Sequence, residues 1–404
     1  MQSKKKLIRI TTTAEMLTNQ LSGQTTFMQK NGFEVLMISS DEEGEPKLLH
    51  KEVCPHLIVP MTRKVTPWKD QKALFTLIKI FKKEKPDIVH TESPKAGLLG
   101  MIAAWLCGVR IRIHTIAGLP FTVEKGWKFK MLEFVEKVAY AAATNIWPNS
   151  PSLRDYILKH NYTYPAKLTI IGQGSSNGLN VNRFNKANLD PEVLIEVKKI
   201  INYEAYNIYL LFVGRMVYDK GVVELIEVFI GLHESNPNLR LILLGYHERL
   251  LDPLPTEIEH EISTCKAIIH INWSDKVPYF MALSHYFVFP SHREGFPNVL
   301  LEAAAMQLPI ICSRIIGNID IVVENVTGLI FEPFNKQSLK NAVMKALQNP
   351  EQMKEMAIKL HERIITDYKR DAFWQKMLDE YLKLTNDDEK ISVKNKESTK
   401  DLYK

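Results

Sequence analysis

Short runs that are apolar throughout alternate with longer amphipathic stretches along nearly the whole chain. The first series of runs is LIRITTT, FEVLMISS, HLIVPM, PDIVHTES, RIRIHTIAG, TNIWPNS and LTIIGQG, with amphipathic segments such as 69–84, 95–107 and 126–142 between them. A second series follows, IYLLFVGRM, RLILLGY, AIIHINWS, YFVFPSH, LPIICS and GLIFEP, separated by helical patterns such as 220–235, 276–284 and 297–307. A strand that is apolar on both faces has to be covered on both faces, and that is the condition of a parallel sheet between two helix layers. Two such series predict an α/β chain of two doubly wound, Rossmann-like domains. The Gly-, Ser- and Asn-rich stretch GQGSSNGLNVNRFNKANLDP, 172–191, marks the break. The N-terminal domain is placed at 1–180 and the C-terminal domain at 181–366. An amphipathic helix at 367–385 is expected to pack back toward the N-terminal domain, with Phe373, Trp374, Met377, Leu378 and Leu382 available for contact. The charged tail 386–404 is expected to be disordered. Ligands of such sheets bind beyond the carboxyl ends of the strands, so the expected site is a cleft across which the two domains face each other.

Composition narrows the function classes. The 404 residues are 45% hydrophobic and 24% charged, enough for two cores. A net charge of +6 fits an anionic substrate or an acidic membrane surface, but the chain lacks the dense basic patch of a nucleic-acid binder. Cys54, Cys107, Cys265 and Cys312 are far apart, form no CxxC pair and have no histidine at metal-ligand spacing, which points to a reducing, cytoplasmic compartment. The lead MQSKKKLIRITTT is basic, but its apolar run is too short for a signal peptide. No uncharged apolar stretch reaches the about 18 residues of a membrane span, so any membrane contact is expected to be peripheral. Two basic-aromatic stretches could supply it. One holds Arg63, Lys64, Lys69, Lys72, Lys79, Lys82, Lys83 and Lys85; the other holds Trp127, Phe129, Met131 and Phe134 beside Lys125, Lys128 and Lys130. Both read equally as ordinary surface helices with wet basic faces.

The stretch SHREGFPNVLLEAAAMQLPIIC, 291–312, raises a chemical question. Glu302 stands among Leu300, Leu301, Ala303, Ala304 and Ala305, where burial costs a carboxylate its solvation. YFVFPS predicts a strand, Glu294 sits in the loop at its carboxyl end, and Pro297 suits the first position of a helix reaching about Gln307. The amino terminus of that helix is an anion site. Two acceptor carboxylates flanking an anion suit a ligand with hydroxyls on either side of a phosphate, as in a nucleotide-sugar. Taken alone, the pair reads equally as a structural ion pair and a solvated loop residue. Upstream, LLFVGRMVYDKGVVELIEVF predicts a strand, a turn and a helix, with Gly214 and Arg215 at the strand end and Lys220 at the helix start. Arg215 and Lys220 could neutralise a diphosphate, the first as a planar fork and the second as a point charge.

The succession VGR, KG, PSxxEGFPNVLLEAAAMQLPII and GNIDIVVENVTGLIFEP resembles glycosyltransferase family 4, of GT-B fold. Glu294 and Glu302 match its Glu-x7-Glu signature. The resemblance implies retaining transfer from a nucleotide-sugar without a metal or other cofactor. It implies that Arg215 and Lys220 hold the diphosphate, Glu302 the ribose hydroxyls and Glu294 the donor sugar. The turn Gly295, Phe296, Pro297 and Asn298 would cap the distal phosphate. HTESPKAGLLGMIAAWLCGVRIRIHTIAGLPF resembles the branch that builds capsules, O-antigens and other glycans on polyprenyl-diphosphate lipids. His114 matches a family histidine that reaches the donor sugar, though a histidine ending a strand is also often structural. His90 and Glu92 are expected to face the acceptor, and Lys95 to meet an acceptor diphosphate or be solvated. The implied partners are a nucleotide-sugar, UDP-linked by expectation, and a lipid-linked saccharide. The implied location is the inner face of a bacterial membrane.

The chain departs from the family pattern in three places. TTTAEM replaces a Gly-Gly loop, leaving Thr12 and Thr13 as candidate donor contacts; Ser284-His285 replaces Ala-Asp; Asn177-Gly178-Leu179-Asn180 stands at the hinge. A nucleotide-sugar 2-epimerase of the same fold and a non-catalytic glycan-binding homologue remain alternatives. A nicotinamide-dependent dehydrogenase is disfavoured by the missing GxGxxG after the first strand. The acidic clusters DEEGE, 41–45, and NDDE, 386–389, read as solvated rather than metal-binding.

Overall fold

The computed structural model describes residues 4–40, 53–63, 66–248 and 252–401. The chain divides into two compact units, Met1–Gly178 with Asp371–Lys404, and Leu179–Arg370. The acidic cluster 41–45 and Lys64 lie outside the described residues.

The first unit contains β1 (Lys5–Thr13), α1 (Gln24–Lys30), β2 (Phe33–Ser40), β3 (His56–Ile58), α2 (Pro67–Glu84), β4 (Ile88–Glu92), α3 (Pro94–Leu106), β5 (Ile111–Ile116), α4 (Gly126–Ala142), β6 (Asn145–Pro148) and α5 (Pro151–Lys159). The second contains α6 (Pro191–Ile200), β7 (Ile208–Val213), α7 (Val222–Ser235), β8 (Leu239–Leu244), α8 (Thr256–Thr264), β9 (Ile268–Ile271), α9 (Val277–Leu283), β10 (Tyr286–Phe289), α10 (Asn298–Ala305), β11 (Ile310–Ser313), α11 (Asn318–Ile321), β12 (Leu329–Phe331), α12 (Lys336–Gln348) and α13 (Pro350–Asp367). The last helix, α14, runs Arg370–Asp401.

Each unit has a six-stranded sheet, ordered β3-β2-β1-β4-β5-β6 in the first and β12-β11-β10-β7-β8-β9 in the second. Every pairing is parallel. Counted from its own first strand, each sheet follows the doubly wound order 3-2-1-4-5-6. Strand order reverses between β1 and β4, and again between β7 and β10.

Two expectations are corrected in outline. LTIIGQG forms no strand; Leu168 makes a single bridge to Ile146, and Gly172 and Gly174 turn the chain away with positive φ. The tail expected to be disordered continues α14 to Asp401, with Asp388 paired to Arg110 at 3.1 Å. From Asp371 to Asp401 the sequence contains no glycine or proline to stop a helix.

In the first unit α14 packs by Phe373, Met377, Leu378 and Tyr381, while Leu382, expected inside, is exposed. Positions 373/374, 377/378, 381 and 385 share one helical face, and 382 falls off it. Beneath this helix lies a polar cluster. Arg9, in the middle of β1, is 2% exposed. It donates to His90 Nδ1 at 2.5 Å and to the Tyr381 hydroxyl at 2.9 Å, and pairs with Glu92 at 3.3 Å. A guanidinium can only donate, so His90 Nδ1 is the acceptor. The imidazole proton is then on Nε2, which donates to Thr115 Oγ1 at 2.7 Å. The cluster joins β1, β4, β5 and α14. Tyr381→Phe keeps the ring but leaves buried Arg9 and His90 short of one partner. Urea unfolding is expected to show about 1–3 kcal/mol of lost stability.

Candidate active site

In the second unit the loops that follow β7 and β10 meet at the point where strand order reverses, the usual ligand position in this topology. After β7 come Gly214, Arg215, a tight turn at Tyr218–Lys220, and Gly221, which begins α7. Gly221 has φ +68, and a Cβ there would lie 2.1 Å from the carbonyl oxygen of Pro290. Only glycine lets the two loops touch this closely. The contact brings Lys220 Nζ onto Glu294 Oε1 as an ion pair. Ser291 Oγ donates to the same carboxylate oxygen at 2.8 Å, and Lys220 Nζ lies 5.9 Å from the centre of the Phe289 ring. Arg215 pairs with Glu248, in the loop after β8.

Behind this pair the next loop gives support. Gly317 has φ +85, and a Cβ there would come within 2.4 Å of the carbonyl oxygen of Gly295. The Ser313 hydroxyl donates to the Ser291 carbonyl, and Asn318 Nδ2 donates to the Ser313 carbonyl at 3.0 Å. The turn Gly295, Phe296, Pro297 and Asn298 is thereby fixed at the amino terminus of α10. Pro297 caps the helix from an extended conformation instead of forming its first turn, and the helix ends at Ala305, before Gln307.

Leu300, Leu301, Ala303, Ala304 and Ala305 are buried in the core of this unit, and Glu302 is half-buried on the remaining face of α10. Burial pushes the Glu302 carboxyl up to about 7, against the pull of the Arg183 and Arg370 charges. No hydrogen bond or ion pair reaches that carboxylate among the described residues. The alternative that Glu302 is half of a structural ion pair is not met. Glu294, in contrast, is paired. The arrangement offers two cations and a helix amino terminus to an anion, with carboxylates on either side to accept hydroxyl protons.

The first unit presents a separate set. His114, near the carboxyl end of β5, accepts or donates at Nδ1 with Thr91 Oγ1 at 2.9 Å. Its ring lies against α3 where Gly97 makes room; a Cβ on Gly97 would be 2.3 Å from His114 Cε1. Burial lowers the His114 pKa to about 4, so the imidazole is neutral at physiological pH. No hydrogen bond reaches Nε2 among the described residues. Thr12 meets Ser93 at 2.7 Å, oxygen to oxygen, at the reversal between β1 and β4.

His90 and Glu92, expected to face an acceptor, are 0% and 1% exposed and belong to the Arg9 cluster instead. Both imidazole nitrogens of His90 are taken by protein groups, so nothing remains to meet a ligand. Lys95 is not free in solvent; Asp70 of α2 holds it at 2.7 and 2.8 Å. The departures also find places. His285 Nδ1 accepts from Tyr209 N at 3.1 Å, and Asn177 accepts from Trp374 Nε1 at 2.6 Å. The sequence reading missed Asp219, Ser291, Arg293, Ser313, Gly317 and Asn318. Asp219 and Arg293 directly precede Lys220 and Glu294, which is the signal that could have found them.

Two doubly wound sheets, the second bearing Lys220 and Glu294 at its reversal point, define the GT-B class of glycosyltransferases. The chain belongs to the group 1, family 4-like glycosyltransferases of that class. Residues 195–363 match the family described as "Glycosyl transferases group 1", and residues 21–174 match the "Glycosyl transferase 4-like domain". The capsular polysaccharide biosynthesis glycosyltransferase CapM of Staphylococcus aureus is 33% identical over 360 residues, 88% of this chain and 92% of that protein. An Escherichia coli UDP-Gal:alpha-D-GlcNAc-diphosphoundecaprenol alpha-1,3-galactosyltransferase is 29% identical, over 78% of this chain and 80% of that one. The fold is also that of Anabaena HepE solved with UDP, with a TM-score of 0.76 at 15% identity over 94% of this chain and 100% of that one.

The raised carboxyl of Glu302 makes a prediction about stability. A carboxyl raised in the folded state contributes stability that is present below its unfolded value of 4.5 and lost as pH rises through about 7. Glu302→Gln carries no such loss. Its melting temperature is expected to exceed that of the parent protein at pH 8, with the gap closing toward pH 4.5 in a thermal scan.

Proposed function

We propose that this glycosyltransferase moves a hexose or N-acetylhexosamine from a UDP-sugar to a polyprenyl-diphosphate-linked saccharide, with retention, in bacterial surface polysaccharide synthesis. The observation that carries the donor half is Glu302. It is a desolvated carboxylate with no hydrogen-bond or ion-pair partner among the described residues, on the helix that follows the Glu294 loop. Ribose hydroxyls would supply the hydrogen bonds it lacks. The diphosphate would draw Lys220 from Glu294 and Arg215 from Glu248, and Glu294 would then accept hydroxyls of the donor sugar. His114 is the candidate ligand contact of the first unit. The acceptor half is supported by relatives whose names carry diphospho-undecaprenol acceptors, the E. coli galactosyltransferase and a Campylobacter jejuni N-acetylgalactosaminyltransferase 24% identical to this chain.

In the reaction, the bond from the anomeric carbon to the diphosphate breaks as the acceptor hydroxyl bonds to that carbon from the same face. The hydroxyl proton passes to the leaving phosphate oxygen. Arg215, Lys220 and the amino terminus of α10 stabilise the growing negative charge, the kind of contribution that dominates such sites. In this reading the protein's own cations do that work, and no metal is required.

The test is a donor screen with UDP-, GDP- and dTDP-sugars, with and without a synthetic polyprenyl-diphosphate sugar. Acceptor-dependent nucleotide release from one donor, insensitive to EDTA and reduced at least about 10²-fold in Glu294→Ala, is expected. Loss of activity in EDTA, or donor conversion without acceptor, would sink the reading.

A lipid-linked acceptor calls for a docking face on the membrane. No described helix is long and apolar enough to cross a bilayer. On α2 the exposed line is Trp68, Lys72, Phe75, Lys79 and Lys82; on α4 it is Trp127, Lys130, Phe134 and Lys137. Trp68 and Trp127 are 86% and 75% exposed, and α3 packs against both helices. Aromatic and lysine positions that alternate along one face suit the interface of an anionic bilayer. In this reading the protein works on the inner face of the cell membrane. Flotation with vesicles containing anionic lipid is expected to recover the parent protein and to lose it when Trp68, Phe75, Trp127 and Phe134 are all changed to Ser. Unchanged flotation would exclude this face.

A further inference from the structure

We infer that Asp219 and Arg293 form a positioning clamp that keeps the two donor-site loops in register while the catalytic pair beside it opens. The inference rests on the donor reading above.

The loops after β7 and β10 are joined by two consecutive ion pairs. Lys220 pairs with Glu294, and one residue earlier on each loop Asp219 pairs with Arg293. In the second pair two guanidinium nitrogens converge on one oxygen: Arg293 Nε donates to Asp219 Oδ2 at 2.7 Å, and its terminal nitrogen reaches the same oxygen. Backbone bonds reinforce it. His292 N donates to the Asp219 carbonyl at 2.8 Å, and Asp219 N donates to Asp252 Oδ2 at 2.7 Å.

The two pairs have different fates when a donor arrives. A diphosphate competes for Lys220, and a sugar competes for Glu294, so the inner pair must open for either to act. Neither Asp219 nor Arg293 is needed by the ligand, so the outer pair can stay closed. Without it, the loops would keep the Gly221–Pro290 contact, the backbone bond at His292, the Ser291 hydroxyl on the Asp219 carbonyl at 3.4 Å and the His292–Glu224 pair at 3.2 Å, but no ion pair directly beside Lys220 and Glu294. Lys220 on one loop and Glu294 on the other would then drift relative to each other, and the sugar would lose alignment with the diphosphate. Arginine suits the task because its planar fork fixes direction as well as distance, which lysine cannot do.

The experiment compares the parent protein with Arg293→Ala, Arg293→Lys, Asp219→Asn and the double variant Asp219→Asn/Arg293→Ala. It measures transfer kinetics, and calorimetric binding of UDP and of the UDP-sugar. Arg293→Ala is expected to lower kcat about tenfold, short of the roughly 10²-fold cost of a full 1 Å misplacement, with UDP affinity held within about threefold. The affinity advantage of the UDP-sugar over UDP should shrink, because that advantage depends on Glu294 being in place. Arg293→Lys should recover part of the loss, and the double variant should be no worse than the poorer single one. Unchanged kcat with an unchanged UDP-sugar advantage would overturn the clamp, as would additive losses or a fall in UDP affinity matching the fall in kcat. If the parent protein binds nucleotide-sugar but transfers nothing, the transferase reading fails and the binding comparison still decides the clamp. If it binds no nucleotide, both fail.

Discussion

The approach of two backbones at the reversal of the second sheet is the constraint on which the candidate site depends. A doubly wound sheet sends consecutive crossovers to opposite faces, so the loops after β7 and β10 diverge and leave a crevice between them. Gly221 against the Pro290 carbonyl closes that crevice to backbone contact. Lys220 and Glu294 meet because of it, although they are separated by 74 positions. Gly317 against Gly295 makes a second such contact from the loop after β11. A Cβ at either glycine would push the loops apart by more than a side chain could absorb.

The site is in tension with stability, as functional sites often are. Glu302 is desolvated without a partner among the described residues, and the cations of the site pair with Glu294 and Glu248. A donor would release the first tension by supplying hydroxyls and would exchange the second for phosphate. The first unit handles its buried charge the opposite way. Arg9, Glu92, His90 and Tyr381 pair with one another across two strands and a helix that comes from the far end of the chain. Lys95 and Asp70 do the same at the start of α3. Charge in the first unit fastens the fold; in the second, Lys220 and Glu294 meet at the strand reversal.

This contrast separates polar residues that look alike in the sequence. Glu294, Glu302, Arg215 and Lys220 stand out there because a polar residue in a loop after an apolar strand, or in an apolar helix, has few reasons to be there. His90 and Glu92 looked the same in the sequence, at the end of an apolar strand. They differ only in having Arg9 as a neighbour in β1 and Tyr381 as a neighbour in α14, partners 81 and 291 positions from His90. Leu382 and Tyr381 could not be ranked without the angle at which α14 meets the sheet.

The sequence by itself determined the two series of strands and helices, the break between them and the identity of the residues at the reversal of the second sheet. Those follow from local rules, since periodicity, apolar run length and the turn-forming residues act over a few positions. The tertiary structure decided which of the polar residues are partnered. It paired Lys220 with Glu294, gave Asp219 to Arg293, left Glu302 without a partner among the described residues, and withdrew His90 and Glu92 into a core. The reason is physical. Whether a charge is satisfied depends on groups brought within about 3 Å by strand order and loop contact, and neither is written in the spacing along the chain.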